Sequence, residues 1–204
     1  MRKIFHPDAK PRCGTCGLHL ELCECALLEP IAVALDLTFL QHRDELGKST
    51  NTVRIARHLC PDLGLVPWEG RGADCALAPA TLLLFPAEGV PVLGPDEVRQ
   101  RPLAILDGTW AQASRMFRVL EGKGFQARRL PEELIHTWQA RRSGRPERMS
   151  SAHAASLLLG LNGETHAAQA LSRLVERVGE GFQQMRGLGQ REKSGRQDSA
   201  IKNP

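Results

Sequence analysis

Residues 102–110, PLAILDGTW, join a short apolar run to a carboxylate, a glycine, a hydroxyl and an indole. Residues 102–106 read as a buried strand, since Pro102 is tolerated at a strand's first position. Trp110, Ala113, Phe117 and Leu120 then recur at steps of three or four, which predicts a helix with these side chains on one face. Gly122 and Gly124 end it. A buried strand that turns directly into a helix is the repeating half of an α/β sheet. Ligands of such sheets lie beyond the carboxyl ends of the strands, and Asp107 stands at that end.

The flanking sequence agrees. Residues 31–40, IAVALDLTFL, and 80–86, ATLLLFP, are continuous apolar runs of strand length, as expected for strands covered on both faces. Val53, Ala56, Leu59 and Cys60 share a helical face that Pro61 stops. Residues 126–149 read as irregular and Arg-rich. A short helix then starts near Ser150 or Ser151, and a longer one carries Ala168, Leu171, Leu174, Val175, Val178, Phe182 and Met185 along a stripe. The expected fold class is α/β, a mostly parallel sheet with flanking helices. Residues 1–29 form a cysteine-bearing segment, 30–185 the α/β domain, and 186–204 a loose basic tail with five basic and two acidic residues.

The 204 residues are 42% hydrophobic and 25% charged, which excludes a wholly disordered or fibrous chain. No apolar run reaches the length of a membrane span, and the first residues lack the apolar core of a secretory signal. A cytoplasmic location with no membrane association is therefore expected. Net charge is +4, but residues 115–148 alone carry nine Arg or Lys against four acids. That excess is either a solvated face or a surface for phosphates. Arg115, Arg118, Arg128, Arg129, Arg141 and Arg142 are its candidates.

Four of the six cysteines, Cys13, Cys16, Cys23 and Cys25, fall within thirteen residues as C-x2-C and C-x-C. Four thiolates at this spacing make a closed tetrahedral Zn²⁺ site, structural because no position is left open for chemistry. The alternative is four free thiols in a surface loop, and His19 offers a substitute ligand. In DGTW, Asp107 can accept a proton, Gly108 permits close approach, Thr109 can cap the helix and Trp110 can pack on a ring or on the core. Ordinary capping of a strand–turn–helix junction explains the same residues. HRDELGKSTNT, residues 42–52, is either a polar ligand loop or a helix start capped by Ser49, Thr50 or Asn51. Arg141, Arg142, Arg145 and Arg148 precede the Ser150–Ser151 helix start, which suits phosphates and a carboxylate or simply a solvated loop.

Taken in order, these motifs resemble the DTW-domain family of transfer RNA uridine aminocarboxypropyltransferases. The resemblance rests on the paired cysteines, His42-x2-Glu45, Asn51-Thr52, the Leu83–Pro86 strand end, DGTW and the Ser-initiated helix, over roughly residues 12–160. Two departures stand out. Ser150-Ser151-Ala152-His153-Ala154 carries His153 where the family pattern has an acid, and Trp138 with Arg141 replaces a Tyr-based element. The resemblance implies a SPOUT-like, knotted fold and S-adenosylmethionine as co-substrate. It implies transfer of the 3-amino-3-carboxypropyl group to N3 of a uridine in tRNA, with release of methylthioadenosine.

Asp107 is then the expected base. Phe85, Pro86, Gly108, Thr109, Trp110 and Ser151 are the expected cofactor contacts, and Asn51, Thr52, Arg115, Arg118, Arg141 and Arg142 the expected RNA contacts. No protein partner is expected. The rival readings are an S-adenosylmethionine-dependent RNA methyltransferase, an aminocarboxypropyltransferase acting on ribosomal RNA, and a non-catalytic zinc-containing RNA-binding module.

Overall fold

A computed structural model describes residues 10–48, 50–70, 76–135 and 149–200, with side chains through residue 186. Five strands form one parallel sheet: β1 (Leu37–His42), β2 (Gly64–Trp68), β3 (Leu82–Leu84), β4 (Leu103–Asp107) and β5 (Gln126–Arg128). Their spatial order is β2-β1-β4-β3-β5. The helices are α1 (Val53–Leu59), α2 (Pro95–Gln100), α3 (Trp110–Glu121), α4 (Ser151–Leu161) and α5 (Thr165–Ala200). The α/β reading and the parallel sheet are as expected.

Strand alternation divides the core into two. Leu37, Phe39, Leu82, Leu103 and Ile105 face α1, α4 and α5, packing with Val53, Ile55, Leu158, Leu159 and Leu171. Leu40, Leu83, Phe85, Ala104 and Leu106 face the other way, onto Ala113, Met116, Phe117 and Leu120 of α3. Each fully buried Leu or Phe contributes about 1.5–3 kcal/mol to this arrangement. The same period of two decides the site. Gln41 and Asp107 are register partners at the carboxyl ends of β1 and β4. Both share the parity of Phe39 and Ile105, so they point toward the α1/α4 side. Phe85 shares the parity of Leu83 and points toward α3.

Several expectations need correction. The first strand runs from Leu37 to His42, later than residues 31–40, because the polar Gln41 and His42 continue the ladder beside β2 and β4. β2, α2 and β5 were not expected. β2 contains Pro67, and β5 is a three-residue edge whose QAR lacks an apolar signal. Trp110 does not join the buried stripe of α3: it is 66% exposed, and Met116 takes the inward position instead. The backbone of α5 continues to Ala200, through the stretch expected as a loose tail, where Arg, Gln, Glu and Lys are good helix formers.

The cysteine segment packs on the domain and is not a separate appendage. Cys16, Leu18 and Cys25 belong to the same core cluster as α5. Leu18 enters a notch at Gly181, where an added Cβ would come within 2.7 Å of its Cδ1. Glu24 pairs with Arg177 of α5, Arg54 Nη1 donates to Gly14 O at 2.8 Å, and His58 Nε2 lies 2.9 Å from Cys25 O. Ser49, Cys75, Trp138, Arg141, Arg142, Arg145 and Arg148 lie outside the described residues.

Candidate active site

Asp107 ends β4 and is 6% exposed. Three side chains from three other segments converge on its carboxylate. Gln41 Nε2 and Asn51 Nδ2 each donate to Oδ2 at 2.8 Å, and Ser151 Oγ donates to Oδ1 at 2.5 Å. Each donor is itself held. Gln41 is fixed by the β1–β4 register. Asn51 Oδ1 accepts from Val53 N at 2.9 Å and so orients its amide toward Asp107. Ser151 is the first residue of α4, whose N-cap Ser150 accepts from His153 N. Thr52 Oγ1 accepts from Ala152 N at 3.4 Å, tying the α1 and α4 starts together. A carboxylate has about four lone-pair sites; three are taken, and the remaining one belongs to Oδ1.

On the other side of the turn, Thr109 caps α3 as the sequence predicts. Its Oγ1 accepts from Gln112 N, and Gln112 Oε1 accepts from Thr109 N at 2.8 Å, a reciprocal capping box. Gln112 Nε2 also reaches Asp44 Oδ2 at 3.2 Å, linking α3 to the turn after β1. Gly108 is closely packed, since an added Cβ would lie 3.0 Å from Gln112 Cβ and a side chain there would require Gln112 to give way. Trp110 stacks on Phe85 with ring centroids 5.3 Å apart, and Phe85 stacks on Phe117 at 4.6 Å. Two buried rings thus support an exposed indole at the carboxyl edge of the sheet. Pro86 follows Phe85 there and is exposed.

The structure therefore brings together Asp107, Asn51, Ser151 and, through Ala152, Thr52. Phe85, Pro86, Gly108, Thr109 and Trp110 form the adjoining face. The hydroxyl of Ser151, expected at the cofactor, is committed to Asp107. Gln41 was missed: its signal is a polar residue in a buried strand, register-paired with the carboxylate. Arg115 and Arg118 are exposed on α3, but Arg128 and Arg129 are already engaged. Arg128 pairs with Glu97 at 2.7 Å and Arg129 with Glu132 at 2.8 Å. Each of these two charges is thus met by a neighbouring carboxylate.

The ligand atoms of Cys13, Cys16, Cys23 and Cys25 all lie within 4.8 Å of one another, and this group could hold a metal ion. Zn–S bonds of about 2.3 Å place tetrahedral sulfurs about 3.8 Å apart; Cys16 and Cys23 are 3.6 Å apart. Burial pushes the Cys16 thiol up to about 11 and raises that of Cys25 too. Burial works the same way on Cys13, but N–H and sulfur neighbours outweigh it and bring that thiol down to about 6. Four sulfurs this close ionise together only around a cation, which fits a thiolate metal site. His19 is not part of the group.

Comparison with known proteins gives the class. The DTW domain matches residues 10–181, and the chain belongs to the DTW-domain family. It is similar to the tRNA-uridine aminocarboxypropyltransferase 2 of Mus musculus, 29% identical over 131 residues, covering 56% of this chain and 43% of the relative. The chain thus spans less than half the length of that curated relative. No solved structure matches it. Among the described residues no helix is long and apolar enough to cross a membrane.

Proposed function

We propose that this protein transfers the 3-amino-3-carboxypropyl group of S-adenosylmethionine to N3 of a uridine in tRNA, releasing methylthioadenosine. The observation that carries the reading is the buried Asp107 carboxylate, fixed by Gln41, Asn51 and Ser151 beside the exposed Trp110–Phe85 stack. Support comes from membership of the family and from the name of the mouse relative.

S-adenosylmethionine, when bound, supplies a carbon made electrophilic by its sulfonium. The residues present suit it: an indole on a rigid aromatic base can hold a ring by stacking. Asp107 takes the N3 proton at Oδ1, the atom with a spare lone pair. As the N3–C bond forms, the C–S bond breaks and its electron pair stays on sulfur. The leaving thioether is neutral, so no acid is needed to protonate it. Gln41 and Asn51 hold Oδ2 and thereby aim Oδ1, so the carboxylate needs little reorganisation in the transition state. Arg115 and Arg118, with Arg141 and Arg142, are proposed to face the RNA. The proposal extends to Zn²⁺ in the four-cysteine group, to a cytoplasmic setting and to a knotted SPOUT-like fold.

The test incubates the purified protein with unmodified tRNA and S-adenosylmethionine. A modified uridine heavier by the aminocarboxypropyl mass, together with methylthioadenosine, is the expected outcome. S-adenosylhomocysteine with a methylated base would show a methyltransferase. Neither product, with tRNA still bound, would show a binding module.

A further inference from the structure

The loop that joins β1 to α1 carries a charged pair to which the proposed reaction has so far given no role. Glu45 is 9% exposed, and Lys48 Nζ donates to its Oε1 at 2.5 Å. Lys48 itself is exposed. An ion pair on the surface contributes little and needs no buried member. A buried carboxylate, by contrast, is costly unless it is paired and hydrogen-bonded. Lys48 supplies one hydrogen bond, and a carboxylate can accept about four. Among the described residues no second donor reaches the Glu45 carboxylate.

The backbone sets this pair between the two halves of the candidate active site. On one side Asp44, the neighbour of Glu45, accepts from Gln112 Nε2, and Gln112 caps the start of α3 that carries Trp110. On the other side two tight turns lead to Asn51. Lys48 N donates to Glu45 O at 3.1 Å, and Asn51 N donates to Lys48 O at 3.2 Å. Asn51 in turn bonds Asp107. A turn closed by such a bond keeps its end Cα atoms within about 7 Å of each other. Lys48 is therefore within a side chain's length of the residue that holds Asp107. The anion and the cation belong to the segment that links the indole stack to the Asp107 carboxylate.

S-adenosylmethionine has matching chemistry at one end. Its amino-acid end bears an ammonium and a carboxylate on one carbon, and this is the end that the proposed reaction moves. We infer that Glu45 and Lys48 form the subsite for that end, with Glu45 accepting from the ammonium and Lys48 donating to the carboxylate. The inference rests on the reading of S-adenosylmethionine as co-substrate. A zwitterion laid against the pair gives each of the two side chains a second opposite charge, through charge-assisted hydrogen bonds. Holding this end also fixes which carbon of the sulfonium is presented to the uridine. The pair thereby favours transfer of the aminocarboxypropyl group over transfer of methyl.

The test titrates the full chain calorimetrically with S-adenosylmethionine, S-adenosylhomocysteine and methylthioadenosine. The last two are both neutral thioethers, and only the first two carry the amino-acid end. Glu45→Gln keeps the size and removes the anion, and Lys48→Met keeps the stem and removes the cation. Each should weaken S-adenosylmethionine and S-adenosylhomocysteine by about ten- to hundredfold and leave methylthioadenosine within about twofold, well short of one lost charged bond. Lys48→Arg keeps the charge and should restore most of the affinity. Equal weakening of all three ligands overturns the inference, because the pair would then only shape the loop. Unchanged affinities overturn it too. So does a loss confined to S-adenosylmethionine, which would make Glu45 a contact of the sulfonium. Should Glu45→Gln fail to fold, the exposed Lys48→Met and Lys48→Arg decide alone. Products formed with unmodified tRNA are measured on the same samples. A parent that methylates uridine while showing the pair-dependent affinities loses the proposed reaction and keeps the subsite. A parent that makes methylthioadenosine while both variants bind like the parent loses only the subsite. A parent that binds none of the three ligands loses both.

Discussion

Replacing Asp107 with asparagine keeps the shape of the side chain and exchanges one acceptor oxygen for a donor. The surroundings decide how the amide lies. Oδ2 receives two amide donors, from Gln41 and Asn51, which cannot reverse their role without turning over. Oδ1 receives a hydroxyl, from Ser151, which can rotate and accept. The asparagine should therefore keep its oxygen toward Gln41 and Asn51 and point its NH₂ at Ser151. All three hydrogen bonds survive, but each loses its charge assistance. Charged bonds contribute about 1.5–3 kcal/mol and neutral ones about 0.5–1.5, so the loss over three bonds is about 3–4.5 kcal/mol. A domain with about 5–15 kcal/mol of stability remains folded after that loss. The basic lone pair on Oδ1 is gone, however, and the rate should fall by about 10²–10⁴. The assay is single-turnover formation of methylthioadenosine at saturating tRNA and S-adenosylmethionine, with tRNA binding and thermal melting measured alongside. A rate within about threefold of the parent, far short of the general-base range, would refute the base role and leave Asp107 as a turn residue. Asp107→Ala is the informative contrast. It strands two buried amide donors at about 1–3 kcal/mol each and should melt lower than Asp107→Asn.

Gln41→Leu removes one holder of Oδ2 while Asn51 remains, so kcat should drop roughly ten- to hundredfold with KM for both substrates little changed. Equal effects on kcat and KM would argue against a positioning role. Trp110→Ala removes an exposed ring that stacks on Phe85. It should weaken S-adenosylmethionine binding by about 0.5–1.5 kcal/mol and lower stability by no more than the lost stack, with calorimetric titration to check the first and thermal melting the second. Cys16→Ser, or treatment with a chelator if the four cysteines hold the proposed Zn²⁺, should loosen α5 as well as the cysteine segment, because Cys16 and Leu18 pack in that core. Protection of α5 amides from hydrogen exchange would report this, and loss confined to residues 10–28 would contradict it. The Arg128 guanidinium, bonded to Glu97, holds that carboxyl below its ordinary value. Its stabilisation is therefore present at neutral pH and is lost as pH falls through the lowered folded value. Glu97→Gln should cost about 1 kcal/mol at pH 7 and converge on the parent in acid. A gap in melting temperature that persists at low pH would exclude this linkage.

The sequence by itself determined the elements with strong local signals. The apolar runs at 31–40, 80–86 and 102–106 read as strands covered on both faces, and each holds much or all of a strand of the sheet. The DGTW turn carried its own capping chemistry in Thr109, and the spacing of four cysteines was legible without any fold. Tertiary structure decided what local signals cannot carry. β2 and β5 have no distinctive apolar pattern and exist because β1 and β3 offer them a ladder. Trp110 follows the helical period as faithfully as Phe117 does, yet as the first residue of α3 it stays on the surface, stacked on Phe85. Arg128 carries the same charge as Arg115 and Arg118, and only folding sets Glu97, 31 residues away, against it. The clearest case is Gln41. It lies 66 residues from Asp107, and a polar residue closing an apolar run does not by itself name its partner. Parallel register places the two side by side, and the period of two turns both toward Asn51 and Ser151. Hydrogen bonds between distant segments depend on register and facing, which are properties of the assembled sheet and are not written in any one stretch of it.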